Sequence, residues 1–277
     1  MLAGLGLAAL LVAGWAAPAR AQRMPDMATL DRGDGISRVG LDFGAAFVDD
    51  GASNADAAMR FDFFAQLVSR RGAGIYASLP LARSVTDGDD ETATGNFDVG
   101  GLYVVESPTL SLVFRAGVAL PTADEDARGF TTNFLASWTR LTDIAQAIPN
   151  MTYLRLGFSP LFHASRLFLR ADVGLDVGID EGDDATGLEP NTLVRINVAG
   201  GIDFGRVALM AEVVNLATTE DFDEIDSADE DFIHTFAVTA RFMGRQVQPY
   251  LTFGTPIDNF GRDQIDFFLG AGLQVRL

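Results

Sequence analysis

The residues best equipped for chemistry in this 277-residue chain are arginines and carboxylates spaced two apart. Between Leu167 and Ile179, Arg170, Asp172 and Asp176 alternate with Leu169, Ala171, Val173, Leu175 and Val177. Successive side chains of a strand point to opposite faces, so this spacing puts the charges on one surface and the apolar groups on the other. The same rhythm collects Arg38, Arg60, Arg115, Arg155, Arg170, Arg195, Arg241 and Arg276 together with Asp42, Asp62, Asp98, Glu106, Asp172, Asp176, Asp203, Glu212 and Asp266. A guanidinium stays charged, and its planar fork pairs with carboxylates on neighbouring strands. Opposed ladders of this kind have two uses. They set a transverse field across a water-filled pore, favouring small polar or zwitterionic solutes, or they close into a salt-bridge network that plugs a narrow barrel. Glycines of the same face, among them Gly40, Gly44, Gly174, Gly270 and Gly272, leave space and favour the pore.

Other chemistry is sparse. Cysteine is absent, which excludes disulfides, thiolate metal sites and a thiol nucleophile. Only His163 and His234 could serve as a base. His163 falls in an expected turn; His234, beside Thr235 and near Asp229 to Asp231, would be the seed of a lipid-modifying hydrolase, but no spacing supports that reading and no catalytic residue is assigned. Acidic clusters at Asp49-Asp50, Asp87 to Glu91, Asp124 to Asp126, Asp180 to Asp184 and Glu220 to Asp231 offer oxygen ligands, yet none fits the EF-hand register. Solvated loops with weak, diffuse Ca2+ or Mg2+ binding are the most they imply, and no cofactor is expected. The formal net charge is −18 and all 20 basic residues are arginine, so nucleic acid is disfavoured as a partner.

These side chains need strands to hold them. About twelve are expected, near Ile36–Val48, Met59–Val68, Ala73–Leu81, Phe97–Glu106, Leu110–Leu120, Thr152–Ser159, Leu167–Ile179, Thr192–Phe204, Val207–Asn215, Ile233–Phe242, Val247–Gly254 and Ile265–Leu277. Short Arg- and Gly-containing turns, such as Arg70-Arg71-Gly72 and Gly205-Arg206, alternate with long acidic loops. Strict alternation demands an even strand count with both chain ends on the short-turn side, the construction of an all-β, antiparallel, up-and-down transmembrane barrel. No apolar run after the first residues reaches the roughly 18 residues of a spanning helix.

One connection departs from this scheme. Between Leu120 and Met151, Phe134, Trp138, Leu141, Ala145 and Ile148 recur at helical spacing, with Thr131 or Thr132 as N-cap and Pro149 as terminator. A helix over Thr131 to Ile148, inside the loop between strands 5 and 6, is expected; Phe134, Trp138 and Leu141 would form a constriction or pack on the barrel. A thirteenth strand through Phe134, Ala136 and Trp138 is the alternative, and it breaks the parity.

At the amino end, Leu2 to Ala17 is apolar and Ala19-Arg20-Ala21 is a small-x-small cleavage site, so residues 1–21 read as a signal peptide. Only the amino terminus supplies its basic n-region, as if the true start lay upstream. Residues 22–35 then form a periplasmic N-terminal arm and residues 36–277 the barrel.

The last strand, Gly270-Ala271-Gly272-Leu273-Gln274-Val275-Arg276-Leu277, resembles the C-terminal signal of Gram-negative outer-membrane β-barrel proteins, with Leu277 in place of a terminal aromatic and Gly270 in place of a polar residue. The resemblance, at the level of architecture, is to porin-like barrels of about twelve strands and singles out no family. It implies a non-enzymatic chain in the outer membrane of a Gram-negative bacterium, with outer-membrane lipids, lipopolysaccharide and the barrel assembly machinery as partners. The function expected is a passive pore for small hydrophilic solutes; a closed barrel with a structural or surface-interaction role is the rival.

Overall fold

The computed structural model describes residues 26–49, 51, 53, 55–86, 90–180, 192–218 and 232–277. Twelve antiparallel strands close on themselves. They are β1 (Arg38–Val48), β2 (Ala55–Val68), β3 (Ala73–Thr86), β4 in two pieces (Glu91–Thr94 and Phe97–Glu106), β5 (Leu110–Leu120), β6 (Met151–Ala164), β7 (Leu167–Asp180), β8 (Thr192–Asp203), β9 (Val207–Thr218), β10 (Phe232–Phe242), β11 (Val247–Pro256) and β12 (Ile265–Arg276). Each pairs with the next in sequence, and β12 returns to β1 with Arg38 opposite Arg276. Closure leaves no edge strand unpaired. Both ends of the strand sequence therefore meet at the short-turn rim, as parity requires.

The alternation sorts the faces as expected. Leu169, Val173 and Leu251 point outward and are 55%, 49% and 62% exposed, whereas Arg170, Asp172 and Asp176 between them are at most 1% exposed. Cross-strand aromatic pairs, such as Phe43 with Phe61 and Phe114 with Phe158, tile the outer wall. Such a continuous exposed apolar surface far exceeds what a soluble monomer carries and matches the outer band of a membrane barrel. At the short-turn rim Gly72 sits at φ +85°, and a Cβ there would lie 2.1 Å from the Val104 carbonyl oxygen, so only glycine fits.

Several strands outrun the sequence expectation at the long-loop end; β2 starts at Ala55 and β3 ends at Thr86. Ladder hydrogen bonds continue there past the apolar band whose periodicity marked the strands. Strand β4 breaks at Gly95-Asn96, where the backbone N–H of Asn96 donates to the Gln146 carbonyl at 2.7 Å instead of to a neighbouring strand.

The long connection between β5 and β6 is helical, in the place expected, but differs in detail. Helix α1 (Ala127–Ser137) begins four residues before Thr131, because the Asp126 carboxylate caps the backbone N–H groups of Arg128 and Gly129. Thr131, expected as N-cap, lies inside the helix and donates its hydroxyl to the Ala127 carbonyl. After α1 the chain tightens into a 3-10 segment (Trp138–Gln146) and leaves helical geometry at Arg140 and Asp143. A short helix, α2 (Asn259–Arg262), lies between β11 and β12. Among the described residues no helix is long and apolar enough to cross a membrane.

Candidate functional site

The barrel interior gathers the predicted charges. Arg38, Asp42, Arg60, Asp62, Asp98, Arg115, Arg155, Arg170, Asp172, Asp176, Arg195, Glu212 and Arg241 all point inward from the wall, buried or nearly so. Pairs form along and between strands: Arg170 with Asp172 at 2.7 Å, Arg155 with Asp98 at 2.5 Å, and Arg195 with Asp176 at 2.8 Å. Four predicted members lie elsewhere. Glu106 is exposed, because it ends its strand at the short-turn rim. Asp266 is exposed, because a bulge opposite Phe47 and Val48 resets the alternation of β12 and turns its side chain out. Asp203 accepts from the Gly205 N–H at 2.5 Å and shapes the β8–β9 turn. Arg276 is half-buried at the short-turn rim, one residue from the chain end.

The arm, expected outside the barrel, runs through it. Its described part begins at Asp26, and Met27 and Leu30, fully buried, dock among Ala199, Ala208, Met210, Val214 and Ala237 of the wall. That apolar inner patch gives an aqueous lumen no advantage and a docked chain a large one. Glu212 anchors the arm backbone, accepting from the N–H groups of Ala28 at 3.1 Å and Thr29 at 2.7 Å, while the hydroxyls of Thr29 and Thr239 each add a bond at 2.8 Å. The Asp26 carboxylate meets Arg38 at 3.2 Å and accepts from Gln274 at 2.6 Å. Asp31 pairs with Arg195 at 2.5 Å and Arg115 at 3.3 Å. Arg32 reaches Asp42 at 2.6 Å and Asp62 at 2.7 Å, with its guanidinium over the Phe64 ring.

The loop enters from the other side and meets the arm. Arg140 donates to the Ala28 and Leu30 carbonyls and pairs with Asp143 at 2.7 Å, and Thr142 donates to the Thr29 carbonyl at 2.8 Å. Asp143 also receives Arg60 at 3.4 Å and Arg155 at 3.2 Å. These opposed demands explain the departures from helical geometry at Arg140 and Asp143. Asn96 locks the far end. Its amide donates to the Ala145 and Ile148 carbonyls at 3.0 and 2.6 Å, and its oxygen accepts from the Thr122 and Ala123 N–H groups, both at 2.9 Å. That is the full capacity of an amide. Trp138 and Leu141 are buried, with Trp138 beside Phe134 and Phe260, so the expected constriction residues face the interior and the wall together.

Charge balance holds this filling in place. Burial pushes the Asp31 carboxyl up, but Arg195, Arg115 and Arg155 outweigh it and hold it down at about 2. Asp143 is likewise held well below the usual carboxylate range: burial opposes this, and Arg140, Arg155, Arg60 and Arg32 prevail. One internal cavity, between Asp42, Arg60, Thr139 and Tyr250, and another, between Arg32, Tyr76, Asp98 and Arg115, measure about 20 Å3 each, room for about one water. The inward glycines admit neighbours instead of leaving a channel: a Cβ on Gly44 would lie 2.5 Å from that of Thr139, and one on Gly174 would lie 2.6 Å from the Arg195 guanidinium.

The remaining candidates fall outside this network. His234 and Thr235 sit on opposite faces of β10, Thr235 buried inside, so the strand's own alternation keeps them apart; His234 Nδ1 instead bonds the Asn215 amide oxygen at 2.7 Å. His163 is half-buried near the β6–β7 turn. Of the acidic clusters, residues 50, 87–89, 181–184 and 220–231 lie outside the described residues. Asp124 and Asp126 hold backbone N–H groups, and Asp90 and Glu91 pair with Arg83 and Arg128. Among the described residues no cluster of three metal-ligating side chains occurs.

The arm and loop contacts were beyond sequence reasoning. Their one legible sign was the mixture in the arm, Asp26-Met-Ala-Thr-Leu-Asp-Arg-Gly-Asp34, where both charge signs and two large apolar residues share nine positions, a composition unlike a solvated tail.

No protein-family model and no curated protein matches this sequence. Solved structures match the whole barrel. The COG4313 outer membrane channel from Pseudomonas putida F1 aligns over 90% of this chain and 100% of its own, with TM-score 0.59 and 13% identity. The NanC porin aligns over 86% and 100%, with TM-score 0.56 and 10% identity. The KdgM porin in complex with disordered oligogalacturonate aligns over 86% and 99%, with TM-score 0.52 and 9% identity. At such identities the likeness concerns architecture, and on that ground the chain has the closed twelve-strand fold of the outer-membrane β-barrel porins.

Proposed function

We propose that this chain resides in the outer membrane of a Gram-negative bacterium as a passive pore for small hydrophilic solutes, occupied in the described state by its own arm and loop. The carrying observation is what fills the barrel. Twelve strands about 4.8 Å apart and tilted about 40° enclose a backbone cylinder of about 12 Å radius, too wide for wall side chains alone to close. Two segments that are not strands occupy the difference, held to the wall by buried ion pairs and hydrogen bonds together with apolar contacts. Lipid tails and lipopolysaccharide would meet the outer apolar band.

The second reading is a permanently closed structural barrel, and the near-complete burial of Arg170, Arg195 and Arg241 favours it. Planar-bilayer recordings separate the two. The pore reading expects sparse, brief openings from the full chain and steady conductance once Asp26 to Gly35 is deleted. A deletion variant that keeps its β circular dichroism and stays silent would establish the closed barrel.

A further inference from the structure

We propose that the guanidinium cluster around Asp31 is a binding site for carboxylate-bearing solutes, filled at rest by the chain's own arm as a stand-in. This deepens the pore reading and rests on it.

Asp31 belongs to no strand, yet its carboxylate receives Arg195 at 2.5 Å and Arg115 at 3.3 Å, and its backbone carbonyl accepts from Arg170. The wall's own acids nearby are already engaged: Asp172 by Arg170, Asp176 by Arg195 and Arg155, and Asp98 by Arg155. Among the described residues Asp31 holds the only carboxylate within 4.0 Å of Arg115. The same dependence recurs at Arg38 and Arg241, whose carboxylate partners among the described residues, Asp26 and Asp34, are also in the arm. With the arm withdrawn, the lumen would present guanidiniums lacking counter-ions, and such a concentrated positive field recruits an anion. A carboxylate matches the planar fork better than a spherical ion does. Gly157 lies beside the pair, where a Cβ would stand in ordinary contact with both Asp31 and Arg115, 3.6 Å from each.

The test uses the full chain with Asp31→Ala in detergent, its thermal midpoint followed against sodium acetate, sodium chloride and acetamide. Acetate is expected to raise the midpoint saturably by about 3 °C, with acetamide and equal chloride without effect and the gain abolished by adding Arg115→Gln. Equal responses to all three additives, or a gain that survives Arg115→Gln, would overturn the site. If Asp31→Ala does not fold, the volume-conserving Asp31→Asn is read in bilayers, where glucuronate is expected to block chloride current at a concentration at least tenfold lower than glucose does. Conductance without that discrimination overturns the site; silence of Asp31→Asn overturns the pore instead if acetate still raises that variant's own thermal midpoint specifically, and overturns the site if it does not.

Discussion

Replacing Asp31 by Asn removes one negative charge from the lumen while keeping the side chain's volume and one acceptor oxygen. The effect can be sized from titration. The carboxyl titrates at about 2 in the folded chain against 3.8 for an ordinary aspartate, a difference that corresponds to about 2 kcal/mol of stability at neutral pH. Outright loss of a partner from a buried ion pair costs about 3–5 kcal/mol, and the acceptor that Asn retains brings the expectation back toward the lower figure. The sign follows from the depressed value. The folded state holds its proton less tightly than the unfolded chain, so the stabilisation is fully present above pH 3.8 and fades as pH falls through about 2. Urea unfolding from phospholipid vesicles at pH 7, 4 and 2 should therefore show Asp31→Asn weaker by about 2 kcal/mol at pH 7, with the gap closing at the lowest pH. Equal stability at pH 7 would mean that the arm is not held by this charge. A deficit that persists undiminished at pH 2 would assign the loss to packing.

Three further outcomes follow from the same geometry. Val173→Arg places a charge on the outward face of β7 and should destabilise the barrel in vesicles by about 2–4 kcal/mol, whereas Val173→Ala should stay well under that; equal effects would mean that the face does not meet lipid. Asn96→Ala removes the four side-chain hydrogen bonds that Asn96 makes to the loop, so at about 0.5–1.5 kcal/mol each it should lower stability by several kcal/mol and lengthen open times in bilayers; unchanged gating would locate the obstruction in the arm alone. Mass spectrometry of outer-membrane fractions should find the mature chain starting at Gln22, and recovery of uncleaved protein from the cytoplasm would contradict the export reading.

The barrel was legible because its information is local. Two-residue periodicity decides which face of a strand meets lipid, and a one-residue slip would expose every charge at once, so Leu169, Arg170, Ala171 and Asp172 announce their sides without knowledge of any neighbour. The alternation of short turns and long loops gave the even strand count in the same way. Asp266 shows where such reasoning stops, since a bulge is an event between two strands and neither strand's sequence states it alone. The helix in the long loop was visible from spacing, but its start depended on Asp126 outcompeting Thr131 as a cap, and its kink on Arg140 reaching a segment more than a hundred residues earlier. Glycines read as open space proved to be seats for Thr139 and the Arg195 side chain, because a missing Cβ says only that something comes near. What the tertiary structure alone decided is the state of the lumen. Whether Arg115 lines water or grips Asp31 depends on complementarity between a wall and two non-strand segments, and that complementarity has no period along the chain to be read from.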